Sequence, residues 1–317
     1  MGYYNQYLYE NAITWTTDGA NAGTVHFRDG KFYCTNVCGV LLNEDGNANR
    51  CIAEILGSIS KKYVSYVGNP KLMNNVMSEI RIHIPSVAEQ KKIDELISAL
   101  DLRIVKQREL IEHLKKYKRG VLEHFVTTFQ SNNANFVRLK EITQIYDGTH
   151  QTPNYKTHGV KFVSVENIES LLDTRKFISK EDFEKEFKIS PSKGDVLMTR
   201  IGDIGRSAYV DFDTPIAFYV SLALFKCKNQ LDGRYLAHYI MSNAFQEQLW
   251  KRTLHIAFPK KINTCEIGEC EILLPSLDDQ SLCAKLLDSI DLLINKNQKT
   301  LEYLITQRLG ILQQIFI

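Results

Sequence analysis

The sequence predicts an α+β protein of two globular modules, the first incomplete, joined by two long helices that pair with each other. Three observations predict it. A nine-residue phrase recurs with a period of 190 residues. Each copy then runs on with apolar residues at alternating steps of four and three, the spacing of helices that pair. The stretches before each copy alternate apolar and polar residues, as half-buried strands do. With 317 residues, the chain has room for two domains that each bury a core.

The first module, residues 1–87, opens on a polar, tyrosine-rich segment without the charged-then-apolar layout of a secretion signal. It carries Thr17-Asp18-Gly19-Ala20-Asn21-Ala22-Gly23 and, later, Tyr66-Val67-Gly68-Asn69-Pro70-Lys71-Leu72-Met73-Asn74. The first long helix, 88–130, is entered through Ile82-His83-Ile84-Pro85-Ser86-Val87-Ala88-Glu89-Gln90. Its seam takes in Ile93, Ile97, Leu100, Ile104, Gln107, Ile111, Leu114, Lys118, Val121 and Phe125, eight of the ten apolar.

The second module, 131–275, has strand-like stretches such as Val160 to Val165 and Ala217 to Leu222, and a period-3.6 helix from Asp232 to Trp250. Two of its segments resemble the first module, Thr199-Arg200-Ile201-Gly202-Asp203-Ile204-Gly205 and His255-Ile256-Ala257-Phe258-Pro259-Lys260-Lys261-Ile262-Asn263. The second long helix, 276–317, is entered through Ile272-Leu273-Leu274-Pro275-Ser276-Leu277-Asp278-Asp279-Gln280. Its seam is Cys283, Leu287, Ile290, Ile294, Asn297, Leu301, Leu304, Arg308, Ile311 and Ile315. Ser86 and Ser276 are the expected N-terminal caps.

A periodic apolar stripe commonly packs on its own domain. Here the polar breaks also coincide across the repeat, Gln107 with Asn297 and Lys118 with Arg308. Polar residues at seam positions weaken a coil but fix its register. That coincidence favours the two helices pairing with each other.

Composition identifies no partner. The chain is 44% hydrophobic and 24% charged, with a net charge of +2. Lys/Arg and Asp/Glu are nearly balanced in every segment: seven against seven in 1–87, nine against seven in 88–134, nineteen against eighteen in 135–275, four against five in 276–317. A DNA-binding face must therefore come from the placement of charge. No apolar run is long enough to span a bilayer. The seven cysteines are odd in number and scattered among apolar residues, which predicts reduced thiols in a soluble, cytoplasmic protein.

No catalytic constellation emerges. Gly202-Asp203-Ile204-Gly205 is a glycine turn, and no Gly-Lys-Ser/Thr loop for phosphates exists. Asn/Asp-Pro-Pro-Tyr/Phe, the string of amino-methyltransferases, is absent, and the cysteine spacings lack the partners of a zinc site. The expectation is a chain that is not an enzyme and holds no metal or cofactor.

The duplicated hydrophobic-Pro-Ser phrase before each helix, the strand phrase Gly194-Asp195-Val196-Leu197, and Asp147-Gly148-Thr149-His150-Gln151-Thr152-Pro153 leading to Gly159-Val160-Lys161-Phe162-Val163-Ser164-Val165-Glu166 resemble the specificity subunit of type I restriction–modification enzymes. The resemblance covers the second module and both helices. It implies two target-recognition-type modules and an antiparallel pair of helices forming a coiled-coil spacer. It also implies double-stranded DNA as ligand, each module reading one half of a split sequence. Two methyltransferase (modification) subunits would dock on the helices and an ATP-driven restriction subunit would join them. S-adenosylmethionine, ATP and Mg2+ would then be held by those partners.

Counting back by the repeat, Met1 falls near residues 185–191 of the second module, so the first module lacks a counterpart to about fifty residues from Phe136 onward. The expectation is full reading of one half-site and poor or no reading of the other.

Base reading needs donors and acceptors on groove-facing loops, with Lys and Arg at phosphates. The candidates are Gly148, Thr149, His150, Gln151 and Thr152 in one loop, with Lys156 after it. Arg200, beside the glycine turn, is placed to reach a guanine edge or a phosphate, or to pair with Asp203. Lys260 and Lys261 form a short basic loop, matched in the first module by Asn69 and Lys71. The Lys115-Lys116-Tyr117-Lys118-Arg119 run reads as a solvated helix face. Two other classes compete: a non-enzymatic scaffold or assembly decoy binding methyltransferase subunits, and an enzyme. The enzyme is disfavoured because modules and helices account for the whole chain.

Overall fold

A computed structural model describes residues 5–42, 48–132 and 134–316. The chain divides into two compact units, Met1–Ile111 with Lys296–Ile317, and Glu112–Asn295. Helix and strand are mixed in both.

In the first unit, β1 (Tyr9–Thr16) lies between β2 (Val25–Phe32) and β3 (Cys38–Leu41), antiparallel to each. The helix α1 (Arg50–Ile59) packs its apolar face on this sheet, burying Cys51, Ile52, Ile55 and Leu56 with Ile13 and Trp15. Asn49 caps α1 by accepting from the Ile52 amide at 3.0 Å. A short α2 (Asn74–Ser78) follows, and the long α3 (Val87–Ser131) begins in this unit.

In the second unit β4 (Asn135–Arg138), α4 (Leu139–Ile142) and β5 (Thr143–Asp147) lead to β6 (Val160–Val163), β7 (Phe177–Ile178) and α5 (Lys180–Glu186). Then come β8 (Val196–Thr199), β9 (Ser207–Tyr209), β10 (Ile216–Phe218) and β11 (Leu222–Cys227). The helices α6 (Gly233–Tyr239), α7 (Asn243–Arg252) and α8 (Thr264–Gly268) precede β12 (Glu271–Leu274) and the long α9 (Leu277–Ile315). The central sheet has the order β5-β11-β8-β9, and β12 pairs with β4. The single helix predicted from Asp232 to Trp250 is two: Ser242 accepts from the Phe245 amide and starts α7 anew.

The units repeat a substructure, with β8, β9 and β11 standing for β1, β2 and β3. Backbone bonds fix the correspondence. Gly23 donates to the Thr16 carbonyl at 2.8 Å and Gly205 to that of Thr199 at 2.9 Å. Leu72 donates to Thr17 at 2.8 Å and Ile262 to Arg200 at 3.0 Å. Thr16 therefore matches Thr199, and Leu72 matches Ile262. This corrects the sequence alignment by one residue in both segments, because the first glycine turn and the second loop differ in length between the units. Among the described residues the first unit has no counterpart of β4 to β7, and residues 81–84, which match β12, form no strand.

The nine-residue phrase owes its recurrence to its glutamine. Gln90 and Gln280 are both buried. Each donates to the proline that precedes its helix, Gln90 to Pro85 at 2.8 Å and Gln280 to Pro275 at 2.9 Å. Each accepts from the residue that caps a preceding helix of its module, Gln90 from the Asn49 side chain at 2.7 Å and Gln280 from the Asp232 amide at 2.8 Å. Ser86 and Glu89 form a reciprocal cap, the Ser86 amide donating to Glu89 at 2.9 Å. The Ser86 hydrogen bonds hold the Glu89 carboxyl below its ordinary range. Ser276 caps α9 through the Asp279 amide at 3.2 Å.

Within the first unit α3 and α9 run antiparallel. Gln107 Nε2 donates to Asn297 Oδ1 at 2.7 Å, while Asp101, earlier on α3, meets Arg308, later on α9, at 2.6 Å. Ile97, Leu100, Ile104, Ile111 and Leu304 are buried there, and Ile93, Leu301 and Ile311 half-buried. In the second unit Lys118 reaches Asp291 at 2.5 Å, and Leu287, Ile290 and Ile294 are buried, with Leu114 half-buried. The pairs Lys118–Asp291 and Arg308–Asp101 are one interaction repeated 190 residues apart. Arg308 adds Glu54 of α1, whereas His238 of α6 lies 4.0 Å from Asp291 and bonds Asp288 at 2.8 Å.

Toward the end of α3 the buried stripe moves over by one position, to Leu122, Val126 and Phe129, with Val121 and Phe125 only half-buried. A strict 3.5 repeat drifts on a helix of 3.6 residues per turn. The last turns also face the second module's own core, where the Phe129 ring meets Tyr235 edge-on at 6.2 Å.

Gln107 and Asn297 yield a prediction. Changing both to Leu is expected to raise the melting temperature by the equivalent of about 1 kcal/mol while loosening register, since seam amides trade stability for alignment. A thermal melt checks the first effect and site-directed cross-linking the second; a lower melting temperature refutes it.

Among the described residues no helix is long and apolar enough to cross a membrane. All seven cysteines are free thiols. Burial pushes the thiol of Cys283, on the α9 seam, up to about 12.

Candidate nucleic-acid interface

Three loops of the second unit converge at one end of its sheet, and Arg200 holds them together. Arg200 follows β8 directly, so its backbone continues the sheet: its amide donates to Ser221 at 2.9 Å and its carbonyl accepts from Ile262. Its side chain turns inward and is 8% exposed. Nε donates to the Ile262 carbonyl at 3.0 Å, and Nη1 to Asp147 Oδ1 at 2.5 Å and the Val220 carbonyl at 3.4 Å. One guanidinium thus ties the end of β5, the link before β11 and the segment leading into α8.

Nε and Nη1 are thus engaged by internal acceptors, so the side chain serves as an internal clamp, where the sequence placed it at a base or a phosphate. Asp203, its alternative partner, instead lies 3.6 Å from Arg206, which also pairs with Glu169. In the first unit Thr17 stands at the matching position, and the Trp15 indole donates to the Leu72 carbonyl at 3.2 Å in place of the guanidinium.

Asp147 opens the first loop. Gly148 is packed so closely on the next segment that a Cβ there would lie 2.4 Å from the Phe218 carbonyl oxygen, which only glycine avoids. Thr149 extends the pairing, its amide donating to Phe218 at 3.1 Å and its carbonyl accepting from Val220 at 3.0 Å. With the backbone so anchored, His150, Gln151 and Thr152 project into solvent. His150 Nε2 is 4.0 Å from Asp147. Lys156 is exposed, its amide held by the Phe177 carbonyl at 2.8 Å.

The second and third loops are the glycine turn at 201–205 and the lysine loop. Gly202, with φ of +85°, donates to the Lys260 carbonyl at 2.8 Å, and Ile201 bridges Lys261. Gly19, with φ of +90°, does the same to Pro70 in the first unit, where Asp18 bridges Lys71. Lys260 and Lys261 are exposed, and neither has a carboxylate partner among the described residues. Asn69 is exposed at the loop of the first unit, and Lys71 lies 3.5 Å from Asp18.

The structure therefore brings together Gly148, Thr149, Lys260 and Lys261 around Arg200. Lys156 sits farther along, beside β7; Asn69 and Lys71 belong to the other unit. Sequence reasoning missed Asp147 as the anchor of Arg200, although both stood in motifs it singled out. It also missed the exposure of Ile256 and Phe258, which no periodicity signals. Among the described residues no group of three or more His, Cys, Asp or Glu is arranged to hold a metal ion. The site offers neutral donors and acceptors beside lysines, a combination suited to reading an anion with patterned edges.

A sequence model of the type I restriction modification DNA specificity domain matches residues 1–116 and 132–304. The chain is 25% identical over 322 residues to the type I restriction enzyme MjaVIII specificity subunit of Methanocaldococcus jannaschii, across 92% of this chain and 75% of that one. Its fold is similar to the S subunit of a type I restriction–modification system from M. genitalium, with a TM-score of 0.64 at 16% identity over 100% of this chain and 86% of that one. A chain from a structure of type I R-M complex assembly gives a TM-score of 0.61 at 19% identity, over 98% of this chain and 83% of its own length.

Proposed function

Because the chain belongs to the type I restriction–modification DNA specificity family, we propose that it is the non-catalytic subunit that selects the DNA site to be methylated or cleaved by partner subunits. The observation that carries this is the Arg200 clamp. It ties the segments that carry Thr149 and the lysine loop to one another, with Lys260 and Lys261 lacking a carboxylate partner among the described residues. Base-reading groups need such preorganisation, and unpaired lysines supply the phosphate contacts that set register.

In this reading residues 131–275 form one target-recognition module and residues 1–87 contribute to another. Residues 88–130 and 276–317 form the antiparallel coiled-coil spacer. Two methyltransferase subunits dock on the helices, and the restriction subunit joins them. Leu96 and Leu286, and likewise Leu102 and Leu292, occupy matching positions on α3 and α9 and are exposed, which supports two equivalent docking faces. S-adenosylmethionine, ATP and Mg2+ belong to those partners, and the complex works in the cytoplasm.

The test is salt-dependent binding of the assembled complex to a target duplex found by methylation mapping. Each phosphate contact contributes roughly 0.9 to the slope of log K against log salt. Changing Lys260 and Lys261 to Gln is expected to lower that slope by about 1 to 2 with little change in melting temperature. Sequence-independent, salt-insensitive binding would remove the DNA-reading assignment and leave the scaffold alternative.

A further inference from the structure

Both units carry the same closed loop. Ser65 and Lys71 bridge across five residues in the first unit, and Leu254 and Lys261 bridge across six in the second. Each base is tied to its glycine turn by the backbone bonds described above. In the second unit the base is held further, since the His255 ring lies tilted against Trp250 at 4.9 Å and bonds the Trp250 carbonyl at 2.8 Å.

The tips are apolar and bare. Ile256 is 100% exposed and Phe258 103%. In the first unit Tyr66 is 69% exposed and Val67 93%. A single exposed apolar residue is ordinary. Here exposed apolar side chains stand on the same loop in both copies, Val67 at the position of Ile256, and full exposure of two large ones is reached in the second, on a backbone pinned at its base, so the side chains have no core to serve. Beside the second tip stand Lys260 and Lys261, both without a carboxylate partner among the described residues. An apolar point flanked by unpaired cations fits a polyanion with an apolar interior, which is stacked duplex DNA.

We propose that Ile256 and Phe258 are an apolar wedge that inserts at a base step of bound DNA, with Lys260 and Lys261 on the flanking phosphates. Side chains of this kind unstack a step and bend the duplex, exchanging stacking for burial of the wedge. The wedge selects for steps that open easily, and so adds specificity without hydrogen bonds to bases. The inference rests on the DNA-reading assignment above.

The experiment uses the assembled complex and target duplexes with 2-aminopurine placed in turn through the site. Wild-type complex is expected to raise the fluorescence at one step. Ile256→Ser with Phe258→Ser is expected to abolish that rise and weaken binding about tenfold, of the order expected when a stacking contact is lost. Its salt slope and melting temperature should stay unchanged, because neither side chain is buried. Lys260→Gln with Lys261→Gln should lower the slope and keep the rise. Specific DNA binding with no fluorescent step and equal affinity for the wedge variant overturns the wedge and leaves the DNA assignment standing. Loss of partner-subunit assembly with unchanged DNA affinity also overturns it and makes the loop a protein contact. Absence of specific DNA binding by the wild-type complex overturns the DNA assignment itself.

Discussion

Changing Ile104 and Ile294 together to Asp is expected to unfold the paired-helix segments and prevent co-purification with methyltransferase subunits. Ile104 is 8% exposed in the first unit and Ile294 7% in the second. Each sits on the apolar stripe of its helix, one step of three from the seam amide, Gln107 or Asn297. A carboxylate there has no cationic partner, and stranding an ion among apolar neighbours costs several kcal/mol per site. Two such costs exceed half the usual stability of a domain. The Ala pair should be milder, at about 2–5 kcal/mol per site from lost packing alone. Circular dichroism melts and a pull-down read the two effects; a folded double Asp variant that still recruits its partners would refute the pairing.

The second large effect is at Arg200. Arg200→Ala removes the donor to the Ile262 carbonyl and the partner of Asp147, and leaves space where the guanidinium was. The loss is expected to be about 2–3 kcal/mol, toward the lower end for a broken buried pair because Asp147 remains a third exposed to water. Arg200→Lys should recover little, since one ammonium cannot serve Asp147, Val220 and Ile262 together. The consequence for DNA is indirect: with the clamp gone, Thr149 and the lysine loop lose their fixed relation, and affinity falls together with melting temperature. A variant with normal melting and impaired binding would instead make Arg200 a direct contact. The lysine pair shows the opposite signature, which makes the two experiments a matched set.

Much of the α+β layout is legible in the sequence, and the reasons are physical. Long-range periodicity survives divergence because a seam tolerates any apolar residue of suitable size, so Ile104 and Ile294 announced themselves. Polar seam residues were legible for the opposite reason: Gln107 and Asn297 are out of place unless they meet. The one-residue slip between Thr16 and Thr17 was not legible, since glycine turns of different length share one spelling and only the bond from Gly23 to Thr16 sets the register. The break at Ser242 was hidden because a serine cap inside an apolar period looks like a tolerated polar residue. The inward turn of Arg200 was not legible, because its direction is set by the convergence of Asp147, Val220 and Ile262, which are far apart in the chain. The fully exposed Ile256 and Phe258 defeat hydropathy altogether, which assigns such residues to a core.

The mounts beneath the two tips have an implication for how this protein can change over generations. Gly19 to Pro70 and Gly202 to Lys260 are bonds between main-chain atoms, so they hold whatever side chains the loop above them carries. Substitutions at Tyr66, Val67, Ile256 or Phe258 therefore meet little resistance from folding, and one tip can be rewritten while the other stays as it is. A lineage carrying this architecture has freedom to explore new chemistry at either tip separately, with the scaffold indifferent to the outcome.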